Sequence, residues 1–228
     1  MLSPAEFEIL ATSFAVASRA LIFSLPFAVA VAFLLSRPGL PGRILLDGLA
    51  HLPVILPPVL VGFLLLIVFG RRGPVGAALD HLFGIHLAFT TNGAALATAV
   101  MTFPLLVRSI RLAFEASDAR LFEAAAMLRA GPWDRFLTIA LPLAGPGIVA
   151  GAVTGFAAAM GEFGAVITFA ANIPGQTQTL PLAIYAVLQE PGGEAEALRL
   201  AAISLTVAMC GLAAAEFLQR RARRRLAG

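Results

Sequence analysis

Residues able to do covalent, acid–base or metal chemistry are few in this chain and poorly spaced for it. His51, His81 and His86 stand near the ends of apolar runs and lack a metal-binding spacing. Cys210 is alone in an apolar run, so it has no disulfide partner and no ligand set, and it reads as a small buried hydrophobe. All 16 basic residues are Arg. Without Lys there is no Gly-rich, Lys-bearing phosphate loop, so ATP is not held here in that way. A different kind of chemistry is available at 122–142, "FEAAAMLRAGPWDRFLTIALP", where Glu123, Arg129, Asp134 and Arg135 sit between two very apolar stretches. These residues suit contact, not catalysis.

The segment has a readable grammar. Ser117 and Asp118 are N-cap types, and Leu121, Ala124, Ala125 and Leu128 recur at helical spacing as one apolar stripe. This predicts a helix over 118–130, stopped by Gly131-Pro132. A second short amphipathic piece over 133–140 leads into the next apolar run. Ala124, Ala125 and Ala126 would let another backbone approach closely. Two readings follow: a rigid helix seated in the groove of a cytoplasmic partner, or a helix lying in the headgroup layer with Trp133 as its anchor.

The elements that hold this hairpin are set by composition. The chain of 228 residues is 59% hydrophobic and only 13% charged. Mean hydropathy is +0.90, and a soluble domain carries roughly 25% charged residues. The sequence therefore predicts an all-α integral membrane protein. Five apolar runs, 9–35, 52–70, 87–107, 141–171 and 197–218, suffice for crossings of about 20 residues each. Acidic Glu6 and Glu8 precede the first run, which is also too long for a cleavable signal peptide. A sixth piece, "LPLAIYAVLQ" at 180–189, is too short to span and predicts a re-entrant or interfacial helix. The Arg residues cluster at run ends and not on an aromatic-bearing face, which speaks against nucleic acid. One side receives Arg37, Arg43, Arg108, Arg111, Arg120, Arg129, Arg135 and the tail "RRARRR"; the other receives Arg71, Arg72 and Arg199. The positive-inside rule then places the N-terminus outside and the C-terminus in the cytoplasm.

Within the runs, Gly147, Gly151 and Gly155 recur at four-residue intervals and make a smooth face for packing against another crossing, with pore lining as the other use. Glu162 is a carboxylate at membrane depth. It would repel an anionic cargo, so it is expected to be a paired structural acid or gate element, with Arg19 as the proposed partner. Arg19 alternatively snorkels to the outer surface.

The spacing in the hairpin resembles the cytoplasmic signature of ABC importer permeases: Glu-Ala-Ala, three residues, Gly, nine residues, Ile, one residue, Leu-Pro. Glu123-Ala124-Ala125, Ile139 and Leu141-Pro142 match, while Arg129 stands at the Gly position and Gly131 is expected to supply the turn instead. Three further stretches, 51–76, 101–115 and 160–185, are similar to the molybdate branch of that family. The resemblance implies a type I ABC importer transmembrane domain at 9–218, with a coupling loop at 115–142 and a basic cytoplasmic tail at 219–228. It further implies a homodimer in the inner membrane, served by two cytoplasmic ATPase subunits that use ATP and Mg, and by a periplasmic molybdate-binding protein. The chain itself would bind no cofactor and catalyse no reaction. Glu123, Ala124, Ala125, Leu128, Arg129 and Gly131 would form the ATPase-coupling surface. The segment around Glu162, Phe163, Asn172, Thr177 and Thr179 would line the gate or translocation path. Sulfate or tungstate is the alternative cargo. A self-contained secondary transporter is the alternative class, and it would need a relay of acids or an inverted repeat, neither of which the sequence shows.

Overall fold

A computed structural model describes residues 3–226, apart from the side chains of 119, 212 and 214–226. Among the described residues every regular element is helical. The first helix, α1 (Pro4–Ser36), starts with Ser3 and Glu6 exchanging side-chain and backbone hydrogen bonds, and Pro4 takes a first-turn position where no N–H is required. It ends at Arg37, the residue before Pro38, whose backbone is extended.

Two expected crossings are broken. The 52–70 run is split into α2 (Arg43–Ile55) and α3 (Pro58–Phe69), bent by 114°. Pro57 and Pro58 remove two consecutive N–H donors, and Leu56 before them is extended, so a straight rod cannot form. The 141–171 run is likewise not one helix. It stops at Met160, turns over Gly161, and resumes as a short helix from Gly164. Apolarity continues across both breaks, which is why composition alone read each as a single span.

The remaining elements follow in order: α4 (Pro74–Phe83), α5 (Thr91–Glu115), α6 (Ala119–Met127), α7 (Pro132–Arg135), a π turn (Phe136–Ala140), α8 (Leu141–Met160), α9 (Gly164–Phe169), α10 (Leu180–Leu188) and α11 (Glu194–Leu226). The π turn precedes Pro142, whose ring would collide with the carbonyl of residue 138 in a regular α-helix; wider winding relieves that contact. Helix α5 starts later and ends later than the 87–107 run, because Thr90 caps it and the charged turn bearing Arg108, Arg111 and Glu115 stays helical. The expected basic tail is no separate segment as far as residue 226, since α11 continues to Leu226. Cys210 is exposed on α11, not buried as expected.

Among the described residues three stretches, Pro4–Ser36, Thr91–Glu115 and Pro132–Met160, are each long and apolar enough to cross a bilayer, and the bent α2–α3 pair is either a fourth, broken span or a re-entrant loop. Helix α5 is the centre. On one side it meets α1 through Ala17, Ala20, Ser24, Ala28 and Ala32, all buried at three- and four-residue steps. Small side chains let the helices approach closely, as lipid-embedded helices require. Two apolar clusters result, one around Phe169 and Leu182 and one around Leu106, Ile110 and Phe114.

Candidate coupling surface and translocation path

The hairpin hangs from the second of those clusters. Asp118 caps α6 by accepting the Arg120 N–H at 2.9 Å. Helix α6 then ends sooner than the expected 118–130. The Arg129 N–H donates to the Ala126 carbonyl and the Ala130 N–H reaches back to the Ala125 carbonyl, each at 3.0 Å. This pair of bonds is a Schellman closure, which demands a left-handed residue between its arms. Arg129 is that residue, at φ +58°. The family signature has Gly there because a Cβ in this region costs roughly 1–2 kcal/mol. Gly131 does not supply the turn: its backbone is extended (φ −65°, ψ 164°), and it caps α7 with Pro132 in the first position.

No side chain of α6 is described as buried. Met127 is 85% exposed, Leu128 84% and the neighbouring Trp133 75%. The stripe expected over Leu121, Ala124, Ala125 and Leu128 faces mostly outward; Phe122 anchors the helix instead, packed against the cluster that holds Phe114, Phe33 and Phe136. The tilted rings of Phe33 and Phe136 lie 4.5 Å apart, and Trp133 meets Phe136 edge-on at 6.0 Å. Glu123 lines a cavity of about 630 Å³ beneath the hairpin and has no ion-pair partner among the described residues. The result is a fixed, partly apolar knob at one end of the bundle.

The gate-region residues separate into different roles. Glu162 accepts the Ala165 N–H at 3.0 Å, so it caps α9 across the break in the fourth run. It does not pair with Arg19, which donates to Asn92 at 3.0 Å and ties α1 to the first turn of α5. Phe163 leads into α9 and packs at a tilt against Tyr185 of α10, with ring centroids 5.1 Å apart. Thr177 is fully buried, donating to the Ala171 carbonyl and accepting the Ile173 N–H, both at 3.0 Å. Its hydroxyl holds the 171–177 loop, where Ala171 is also left-handed, and has nothing spare for an ion. The Asn172 amide donates to the Leu182 carbonyl at 3.4 Å, but its Oδ1 and the Thr179 hydroxyl are buried without partners.

The glycine face of α8 lies on α5. A Cβ added at Gly147 would sit 2.2 Å from the Ala113 Cβ, one at Gly155 2.7 Å from Leu106, and one at Gly151 3.3 Å from Ile110 and Ser109. Gly147 therefore admits no larger residue without moving a helix, and one at Gly155 must displace the end of the Leu106 side chain.

Residues 20–224 match the model of the "Binding-protein-dependent transport system inner membrane component" family. The chain belongs to that family. Among curated members it is 52% identical over 99% of its length to the molybdenum transport system permease protein ModB of Escherichia coli K12, covering 98% of that protein. It is 45% identical to the ModB of Haemophilus influenzae, covering 97% of this chain and 96% of that one. The sulfate transport system permease protein CysT of Escherichia coli K12 is 36% identical over 91% of this chain and 74% of its own. Among solved structures, a bacterial alginate ABC transporter crystallised with its pentasaccharide-bound periplasmic protein has a similar fold. Its TM-score is 0.76 at 16% identity, over 96% of this chain and 80% of that one. An amino acid ABC transporter gives 0.64 at 16% identity, over 96% and 94%. The fold is that of type I ABC importer transmembrane domains.

One part of this inner membrane component escaped sequence reasoning. At the α6 end of the bundle, Arg111 contacts Glu115 at 2.8 Å and Asp47 at 3.2 Å, while Arg43 contacts Glu115 at 3.5 Å and His51 contacts Asp47 at 3.2 Å. The Arg111–Glu115 pair was visible as an i, i+4 spacing. Arg43 and Asp47 come from α2, and only tertiary packing brings them to the last turn of α5. The network fastens the hinged α2 to the residue from which the hairpin departs. At the opposite end, Arg199 of α11 pairs with Glu6 of α1 at 2.6 Å.

Proposed function

We propose that this chain is the membrane permease subunit of an ATP-driven importer that carries molybdate across the cytoplasmic membrane. The observation that carries this reading is the near-full-length 52% identity to a molybdenum permease, together with an exposed helix at the coupling signature. Two copies form the pore, and the knob of each seats in a groove on a cytoplasmic ATPase subunit that binds ATP and Mg. Glu123, Met127, Leu128 and Arg129 meet that subunit. A periplasmic binding protein delivers the oxyanion from the other side. The orientation follows the Arg asymmetry, with the N-terminus outside.

Nucleotide-driven closure of the ATPases draws the two knobs together. Motion enters α5 through Phe122 and Phe114, and α2 through the Arg111 network. The crossings rock as rigid bodies about the central path. Moving such an equilibrium from 1:99 to 99:1 needs about 5.5 kcal/mol of differential binding, which the partner supplies. Among the described residues of this segment the Thr179 hydroxyl is a buried donor left without a partner, and a single neutral donor suits release. Selection between tetrahedral dianions then falls mainly to the delivery protein. The sulfate permease likeness, at 36% identity, makes sulfate the second reading, and tungstate shares molybdate's charge and shape.

Deletion should abolish molybdenum-enzyme activity at trace molybdate and restore it at high molybdate through less selective carriers. Continued high-affinity molybdate uptake, with loss of sulfate uptake instead, overturns the cargo. In the reconstituted complex, ATPase should be stimulated by loaded binding protein and little by free molybdate. Impermeant thiol reagent should label Ser3→Cys but not Ala227→Cys from outside, in a Cys210→Ala background.

A further inference from the structure

An apolar trough of about 670 Å³ runs along α1 beside α7 and α8, walled by Pro26, Val29 and Phe33 on one side and Trp133, Phe136 and Ile148 on the other. It adjoins the cavity beneath the hairpin, with Phe33, Arg37, Pro132 and Phe136 lining both. Arg37 stands at the junction, stacked over the Phe33 ring at 4.3 Å. Arg135 lines the cavity, and its Nε has no hydrogen-bond partner. Neither guanidinium has an ion-pair partner among the described residues. Two carboxylates share the mouth. Glu115 is already held by Arg111 and Arg43, which leaves Glu123 against two free cations and a net charge of +1. Trp133 stands at the lip.

We propose that trough and mouth together bind one anionic phospholipid. An acyl chain lies along α1 in the trough, and the phosphodiester sits between Arg37 and Arg135. Guanidinium matches phosphate oxygens in pairs, and a Trp at this depth suits the headgroup boundary. The order apolar trough, aromatic lip, basic mouth, read along a membrane-crossing helix, is the order of a lipid from tail to headgroup. A zwitterionic lipid brings its own cation to a mouth already positive, so charge favours an anionic headgroup. Basic pockets between crossings hold anionic headgroups for this reason. The lipid would brace Phe136 and Phe122, the same rings that carry the knob. The site depends only on membrane embedding; placing it in the cytoplasmic leaflet rests on the proposed orientation, which lipid binding does not probe.

The test uses the full chain in mild detergent and in nanodiscs, with phosphatidylglycerol and phosphatidylcholine as probes. Native mass spectrometry should show one phosphatidylglycerol retained per chain and no retained phosphatidylcholine. Arg37→Gln with Arg135→Gln should lower retention roughly thirtyfold, and Val29→Trp should also lower it by filling the trough. Arg72→Gln at the far end should change nothing. Phosphatidylglycerol should raise the melting temperature of the parent but not of the double variant, whose melting in phosphatidylcholine stays at the parent value; this separates lost binding from misfolding. Equal retention by parent and double variant, or equal retention of both lipids, overturns the site. A disulfide between copies through Ala30→Cys also overturns it, because a second chain would then occupy the trough.

Discussion

Two clusters of small residues in this chain meet opposite fates. In α8, Gly147, Gly151 and Gly155 are covered by α5 of the same chain, with almost no room for a Cβ at the outer two. In α6, Ala124, Ala125 and Ala126 belong to a helix none of whose described side chains is buried, with large apolar neighbours facing outward. The chemistry of close approach is the same. What differs is whether the chain supplies the partner. A small-residue face inside the bilayer is satisfied locally because neighbouring crossings are already at hand. One held outside the bundle on the Phe122 anchor is left uncovered by this chain.

That contrast can be broken at either end. The largest effect is expected from Gly147→Leu, where the new side chain must occupy the space of Ala113. Overpacking typically costs about 1–3 kcal/mol, and a 2.2 Å approach puts this change at the top of that range. Inserted protein and melting temperature in detergent should both fall sharply. Normal melting would show that the α5–α8 seam is loose. Ala125→Trp should leave insertion and melting near normal while ATPase co-purification and uptake fall by tenfold or more. Intact uptake would mean that no partner seats on this face.

Smaller effects sharpen the picture. Glu162→Ala removes the α9 cap and should cost about 1 kcal/mol, whereas Glu162→Gln keeps an acceptor and should melt near the parent. An equal loss in Gln and in Ala would show that the charge matters more than the cap. Arg111→Ala frees α2 from α5. The ions are partly exposed, so melting should change by at most about 1 kcal/mol; uptake should suffer more than stability if the network carries motion. Arg129→Gly gives the smallest change. It relieves the left-handed backbone at about 1–2 kcal/mol and returns roughly 0.5–1 kcal/mol of chain entropy, so melting should rise slightly. If uptake falls while melting rises, Arg129 touches the ATPase; if both hold, only its backbone matters.

The hairpin was legible because its signals are local: a cap at Asp118, helical periodicity, and the Gly131-Pro132 break. The exact closure was not. Choosing Gly131 over Arg129 as the turn residue followed side-chain preference, whereas the register of the two closing hydrogen bonds placed the left-handed residue at 129. The Glu162–Arg19 pairing also failed. Two opposite charges in an apolar sequence suggest each other, but Arg19 lies beside Asn92, and Glu162 is consumed by the backbone of its own turn. Thr177 was expected along the gate or translocation path from the resemblance alone; its loop uses both hydrogen-bonding roles of its hydroxyl.

By itself the sequence determined what periodicity and composition control: a helical membrane protein, a polar knob between apolar runs, and a glycine face needing a close neighbour. Hydrocarbon forces backbone polar groups to be satisfied within each helix, so apolar runs translate almost directly into helices. The tertiary structure decided where those runs break, which helix covers the glycines, and which charges meet. Pro57-Pro58 and Gly161 divide runs that hydropathy cannot divide, since the residues on both sides are equally apolar. Arg43 and Asp47 reach Arg111 and Glu115 across more than sixty residues of chain, a proximity created by packing α2 on α5 and by no property of either segment alone.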